Sequence, residues 1–129
     1  MSERATRAAF RRRSTSLAAM TLLALLNSCG SSSSQPEARD QATTAGCDYY
    51  QRCGDIGAGK MYETRMSCEV SVKAFWESSW PPADCDGKIN AAKLDVCLAS
   101  IRAATCGNGG SNLAVLLVNC PKAQVCSGP

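Results

Sequence analysis

The chain contains no histidine among its 129 residues. That absence removes the commonest general base, the partner of the nucleophile in most hydrolase triads, and the imidazole ligands of most zinc sites. No two cysteines stand in the two-residue spacing of a zinc knuckle either. Strand signals are sparse, because few Val, Ile or Thr residues alternate with polar ones. Long apolar runs are missing as well. The run from Leu17 to Leu26 has ten residues, where a membrane-spanning helix needs about 20, so no transmembrane segment is expected after it.

What is present at the start is a pattern of export. An Arg-rich opening, the short apolar run and a small residue before Cys29 read as a signal peptide over residues 1–28. The end of that run, "LLNSC", resembles the lipobox of bacterial lipoproteins, in which Leu26 and Ser28 precede a cysteine that becomes the lipid-modified first residue. The resemblance implies lipidation at Cys29, with Gly30 after it fitting export to the outer membrane. The hydrophobic residues that follow a twin-arginine motif are missing after Arg11, Arg12 and Arg13. The Ser-rich stretch that follows Cys29 reads as a flexible tether, so residues 29–45 are expected to be the lipidated N-terminus and linker, and residues 46–129 the folded domain.

The leader also carries the basic charge. The whole chain has 14 basic and 11 acidic residues, a net +3; five arginines and Glu3 lie in the leader, so nine basic and ten acidic residues remain, a net −1. Nothing in the remainder interleaves basic residues with aromatics, and no nucleic-acid partner is expected.

Nine cysteines are present, and with Cys29 assigned to lipid eight remain: Cys47, Cys53, Cys68, Cys85, Cys97, Cys106, Cys120 and Cys126. An even number in a short exported chain reads as four disulfides, and a domain of about 80 residues is small enough to need such staples.

Helical patterns recur through the domain. A short first helix is expected from a Thr44 cap to the Gly54 stop. A long second one should carry Met61, Cys68, Val72, Phe75 and Trp76 on one face and end at Pro81. The stripe Leu94, Cys97, Leu98, Ile101 and Ala104 marks a third helix with Gly107 as its stop. Ser111 caps a fourth that presents Leu113, Leu116, Leu117 and Cys120. The fold class is therefore all-α, a small disulfide-stapled, up-and-down four-helix domain. Matching cysteine heights in such a bundle joins Cys53 to Cys106 at one end and Cys85 to Cys126 at the other. Cys47, Cys68, Cys97 and Cys120 pair either as 47–68 and 97–120, the expected arrangement, or across the hairpins.

Three stretches look like chemistry. Gly54, Gly59 and Lys60 match a phosphate-binding loop up to its last position, but Met61 stands where a magnesium-binding hydroxyl is needed, and helix precedes the loop where a strand should. Nucleotide is not expected; the glycines Gly54, Gly57 and Gly59 serve a sharp turn. The segment from Pro82 resembles the calcium loop of EF-hand and dockerin modules, with Asp84, Asp86 and Asn90 on ligand positions around Gly87. Pro82 replaces its first acidic ligand and Lys93 its closing carboxylate, so Asp84 and Asp86 are expected instead to cap the third helix. Acidic residues such as Glu63 and Glu69, or Asp48 and Asp55, read as a solvated face. No cofactor or metal is implied.

The apolar cluster Phe75, Trp76 and Trp80 is the candidate partner surface, since Trp is enriched at interface hot spots. The chain resembles short cysteine-rich bacterial lipoproteins of no assigned activity. The expectation is a non-enzymatic binding or interaction module on the bacterial cell envelope, held to the outer membrane by its lipid and contacting an envelope or secreted protein. The alternatives are a small periplasmic or secreted effector or protease inhibitor and, more remotely, a weak calcium-binding module using the Asp84 to Asn90 loop.

Overall fold

In the computed structural model, residues 33–107 and 118–128 are described. They are helical with no strand. They include three long helices, α1 (Gln35–Arg52), α2 (Arg65–Ser79) and α4 (Ala91–Ala103), and two single-turn helices, α3 (Pro82–Cys85) between α2 and α4 and α5 (Lys122–Val125) near the end. The domain is all-α and disulfide-rich, as its sequence pattern requires.

α1 is longer than expected. It starts at Gln35, so its first three turns occupy residues assigned to a flexible tether, and the domain begins near Ser34 instead of Gly46. Local chemistry accounts for this. Ser34 Oγ accepts from the Glu37 amide, the Glu37 carboxylate accepts from the Ser34 amide, and Pro36 sits in the first turn, where its missing N–H costs nothing. Ala38, Ala42 and Ala45 then line a buried stripe with Tyr49. Small side chains let α1 approach its neighbours closely on more than one side.

α2 is shorter than expected. A second capping box, Thr64 with Ser67, starts it at Arg65, which leaves Met61 in the preceding loop, exposed. Cys68, Val72 and Trp76 form its buried face. In α4 the buried residues are Leu94, Cys97, Leu98 and Ile101, four of the expected five; Ala104 caps the C-terminal end and is half-buried. Its cap is Asn90, whose Oδ1 accepts from the Lys93 amide at 3.1 Å, and not Asp84 or Asp86.

α1 is the helix against which both α2 and α4 pack. Arg39 pairs with Glu77, and Arg65 with Asp48, so α1 and α2 run antiparallel. α4 runs in the same direction as α1, since Arg52 at the end of α1 donates to the carbonyl of Ala104 just past the end of α4. The expected fourth helix falls largely outside the described residues, including Ser111, Leu113, Leu116 and Leu117.

Four disulfides join the elements: Cys47–Cys68 between α1 and α2, Cys53–Cys106 at the C-terminal end of α1, Cys85–Cys126 between α3 and the end of α5, and Cys97–Cys120 from α4. This is the pairing that helix heights favour.

Candidate functional site

The two tryptophans lie in the core. Both Trp76 and Trp80 are 0% exposed, stacked with ring centroids 4.3 Å apart, and Phe75 packs edge-on to Trp76 while half-buried itself. The expected partner surface at Phe75, Trp76 and Trp80 is thereby corrected. The reason is the position of Trp80: it follows α2 and turns inward, where its Nε1 donates to the Cys120 carbonyl and its own carbonyl accepts from Gln35 Nε2 at 2.6 Å. A domain this small uses its largest rings to fill its interior.

The calcium-like loop is organised for other contacts. Asp84 pairs with Lys122 at 2.6 Å, and this hydrogen bond, with the ammonium charge, holds its carboxyl below the usual range. Asn90 spends Oδ1 on the α4 cap and donates from Nδ2 to the Gly128 carbonyl at 2.7 Å. No cluster of metal-ligating side chains occurs among the described residues. Gly87, at φ +68°, makes the turn that the sequence suggested, but the turn docks the C-terminal segment: Gly128 N donates to Lys88 O and Asn90 N to Val125 O.

The Gly-rich stretch after α1 is a compact turn. Asp55 N donates to Tyr50 O, Gly57 N to Tyr62 O and Tyr62 N to Asp55 O, so the loop closes on itself and on the end of α1. Gly54 and Gly59 adopt φ of +74° and +71°, a region that costs other residues about 1 kcal/mol or more. Tyr49, Tyr50 and Tyr62 meet edge to face above it. Burial, then the neighbouring Tyr62, pushes the Tyr50 phenol up, so it stays neutral in any physiological medium. A neutral buried phenol offers packing, not base catalysis.

A groove remains that sequence reasoning passed over. Between α1 and α2 an open depression of about 280 Å³ is lined by Asp40, Thr44, Met66, Glu69, Val70 and Lys73. Met66 and Val70 are 74% and 66% exposed, one turn apart on the side of α2 away from its Cys68–Val72–Trp76 face. Ion pairs fix the rim: Lys73 with Asp40 at 2.9 Å, and Arg65 with both Asp48 and Glu69. The Lys73 hydrogen bond holds the Asp40 carboxyl below its usual range. The sequence signal for it is two apolar residues at helical spacing off the core stripe, weaker than that of the aromatic rings nearby.

The cysteines separate by exposure. Cys47, Cys68, Cys85, Cys97 and Cys120 are buried, Cys53 and Cys126 are half-buried, and Cys106 is exposed. With the paired cysteines and helices in view, the comparison with known families is direct: the family described as a family of unknown function (DUF6184) matches residues 47–128. The chain belongs to this family. The DUF6184 region begins at Cys47 and ends beyond Cys126, so it contains all four disulfides, while the capped first turns of α1 precede it. No curated protein and no solved structure matches the chain. Four disulfides suit an oxidising setting, extracytoplasmic or secreted, and no described helix is long and apolar enough to cross a membrane. Cys29 lies outside the described residues.

Proposed function

We propose that the protein is a non-enzymatic interaction module, held at a bacterial outer membrane by lipid on Cys29, that docks a protein segment in the α1–α2 groove. The observation that carries the reading is the pair Met66 and Val70, two large apolar side chains kept in water on a helix that the Cys47–Cys68 bond and two ion pairs, Arg65 with Asp48 and Lys73 with Asp40, tie to α1. Apolar side chains at i and i+4 on a fixed helix, lining a groove beside a second helix, are what a helix-in-groove contact uses. Its carboxylates are already paired, Asp40 with Lys73 and Glu69 with Arg65, so the open contact is the apolar one at Met66 and Val70. The occupant that fits is therefore an amphipathic helix that lays its apolar face there.

A photo-crosslinking side chain placed at Val70, in protein expressed with its own leader, tests the site. Val96, 61% exposed on α4, is the control position. One envelope protein should be joined from position 70 and not from 96, and Met66→Glu should abolish the adduct. Equal adducts from both positions would reject the groove as the contact. Intact mass of the same preparation checks the anchor, which requires a start at Cys29 with a lipid increment; an unlipidated mass would point to the secreted effector instead.

A further inference from the structure

The start of α1 changes what an anchor at Cys29 does. Ser34 is already the helix cap, so only Gly30, Ser31, Ser32 and Ser33 separate the anchored cysteine from the folded domain. Five residue steps span about 18 Å at most in any conformation. α1 alone, with 18 residues, is about 27 Å long. The tether is shorter than the domain it carries and cannot let it tumble freely.

We infer that the end of the domain holding Lys88, Lys93 and Lys122 rests against the bilayer in which Cys29 is anchored, so that the membrane surface is itself a binding partner of the folded domain. The inference rests on the anchor at Cys29 proposed above. Hydrogen bonds identify which groups share the end of α1 from which the tether leaves. Gln35 Nε2 donates to Trp80 O, and Trp80 Nε1 to Cys120 O. Lys122 bonds Asp84, Gly128 N donates to Lys88 O, and Lys93 lies in the first turn of α4.

The tether, and not net charge, selects this end over the flank. Along the flank Asp40 pairs with Lys73 and Asp48 with Arg65, and at the end Glu37, Asp84 and Asp86 accompany Lys88, Lys93 and Lys122. Lys88 and Lys93 are exposed there, within reach of headgroup phosphates once the tether holds this end down. Cations near an anionic bilayer surface are attracted to it over about a Debye length. The Gly54–Thr64 turn and the Cys53–Cys106 disulfide then sit at the far end, pointing away from the membrane.

The native lysines report the orientation. The lipidated full-length protein, reconstituted on vesicles of phosphatidylethanolamine and phosphatidylglycerol, is treated with a water-soluble acylating ester, and the modification rate of each lysine is read by peptide mass spectrometry. Lys88 and Lys93 should react several-fold more slowly than Lys60 in the far turn. Inserting about twenty Gly and Ser residues after Ser32 should restore their rates, because a long flexible linker frees the domain. Lipidated protein in which Lys88, Lys93 and Lys60 react alike would overturn this inference and leave the anchor standing. Protein without the lipid increment would overturn both.

Discussion

The two ends of α1 are closed by different means. At its N-terminal end the two indole rings stack in the core, Gln35 reaches across to Trp80, and Trp80 reaches on to Cys120. At its C-terminal end a turn built on positive-φ glycines folds back on itself, and one disulfide, Cys53–Cys106, ties it to the segment after α4. Both ends hold buried rings and a disulfide, Cys85–Cys126 at the first and Cys53–Cys106 with the Tyr49–Tyr50–Tyr62 cluster at the second. They differ in what closes them: stacked indoles with their hydrogen bonds and a bond with a buried member at one end, a glycine turn and a bond with an exposed member at the other. The first should answer most to changes of side chain, the second to a reductant.

The largest effect should come from the packed end. Trp80→Ala removes a fully buried indole, its stacking on Trp76 and its bond to the Cys120 carbonyl, and should cost about 3–5 kcal/mol in urea unfolding. Phenylalanine replacements separate ring from hydrogen bond. Trp80→Phe keeps most of the ring but leaves the Cys120 carbonyl without its donor, whereas Trp76 Nε1 has no hydrogen-bond partner to lose among the described residues. Trp80→Phe should therefore be the more destabilising by about 1 kcal/mol or more. Equal losses would mean that packing alone holds this end.

The second effect belongs to the tied end. Cys53–Cys106 closes a loop with a sequence separation of 53, which corresponds to about 4 kcal/mol of loop entropy in the unfolded chain. Cys85–Cys126, with a separation of 41, closes a loop nearly as long. Loop length barely distinguishes the two bonds; access does, because Cys106 is exposed while Cys85 is buried. Limited treatment of the folded protein with a phosphine reductant, followed by alkylation, should label Cys53 and Cys106 before any other pair. Early labelling of Cys85 and Cys126 would reverse the ranking of the two ends.

Much of this contrast was legible in the residues. The stripe in α4 and the cysteine heights follow from 3.6-residue periodicity and a 1.5 Å rise, both local properties of the chain. The glycines of the far turn marked a sharp reversal, which the structure makes with positive φ at Gly54 and Gly59. Burial was harder to read. Trp76 and Trp80 stand four apart whether they face a partner or the core, and what decides is the chain after Ser79, which turns Trp80 inward. The groove residues Met66 and Val70 are apolar like the core and differ only in facing away from it. By composition "SSSSQPEARD" is Ser-rich linker, and that hides the first turns of α1 from a reading of the sequence. The Ser34-x-x-Glu37 box with Pro36 between is a helix start in its own right.

The smallest effect should come from that helix start. Ser34→Ala removes the acceptor for the Glu37 amide and should cost about 1 kcal/mol. Thr64→Ala does the same at the start of α2 and should cost a similar amount globally. The local responses should differ. Arg65 holds the first turn of α2 through Asp48 and Glu69, and Cys68 bonds it to α1 within that turn, so fraying there is restrained. The first turn of α1 has no disulfide; Gln35 and the buried Ala38 are its hold on the rest. Amide exchange at Glu37 and Ala38 should rise clearly in Ser34→Ala, while exchange at Ser67 and Cys68 in Thr64→Ala rises much less. If Ser34→Ala leaves Glu37 and Ala38 unchanged, the cap is not what starts α1. If those amides already exchange freely in the unsubstituted protein, residues 35–45 act as linker, the tether regains its length, and the domain is free to turn away from the membrane.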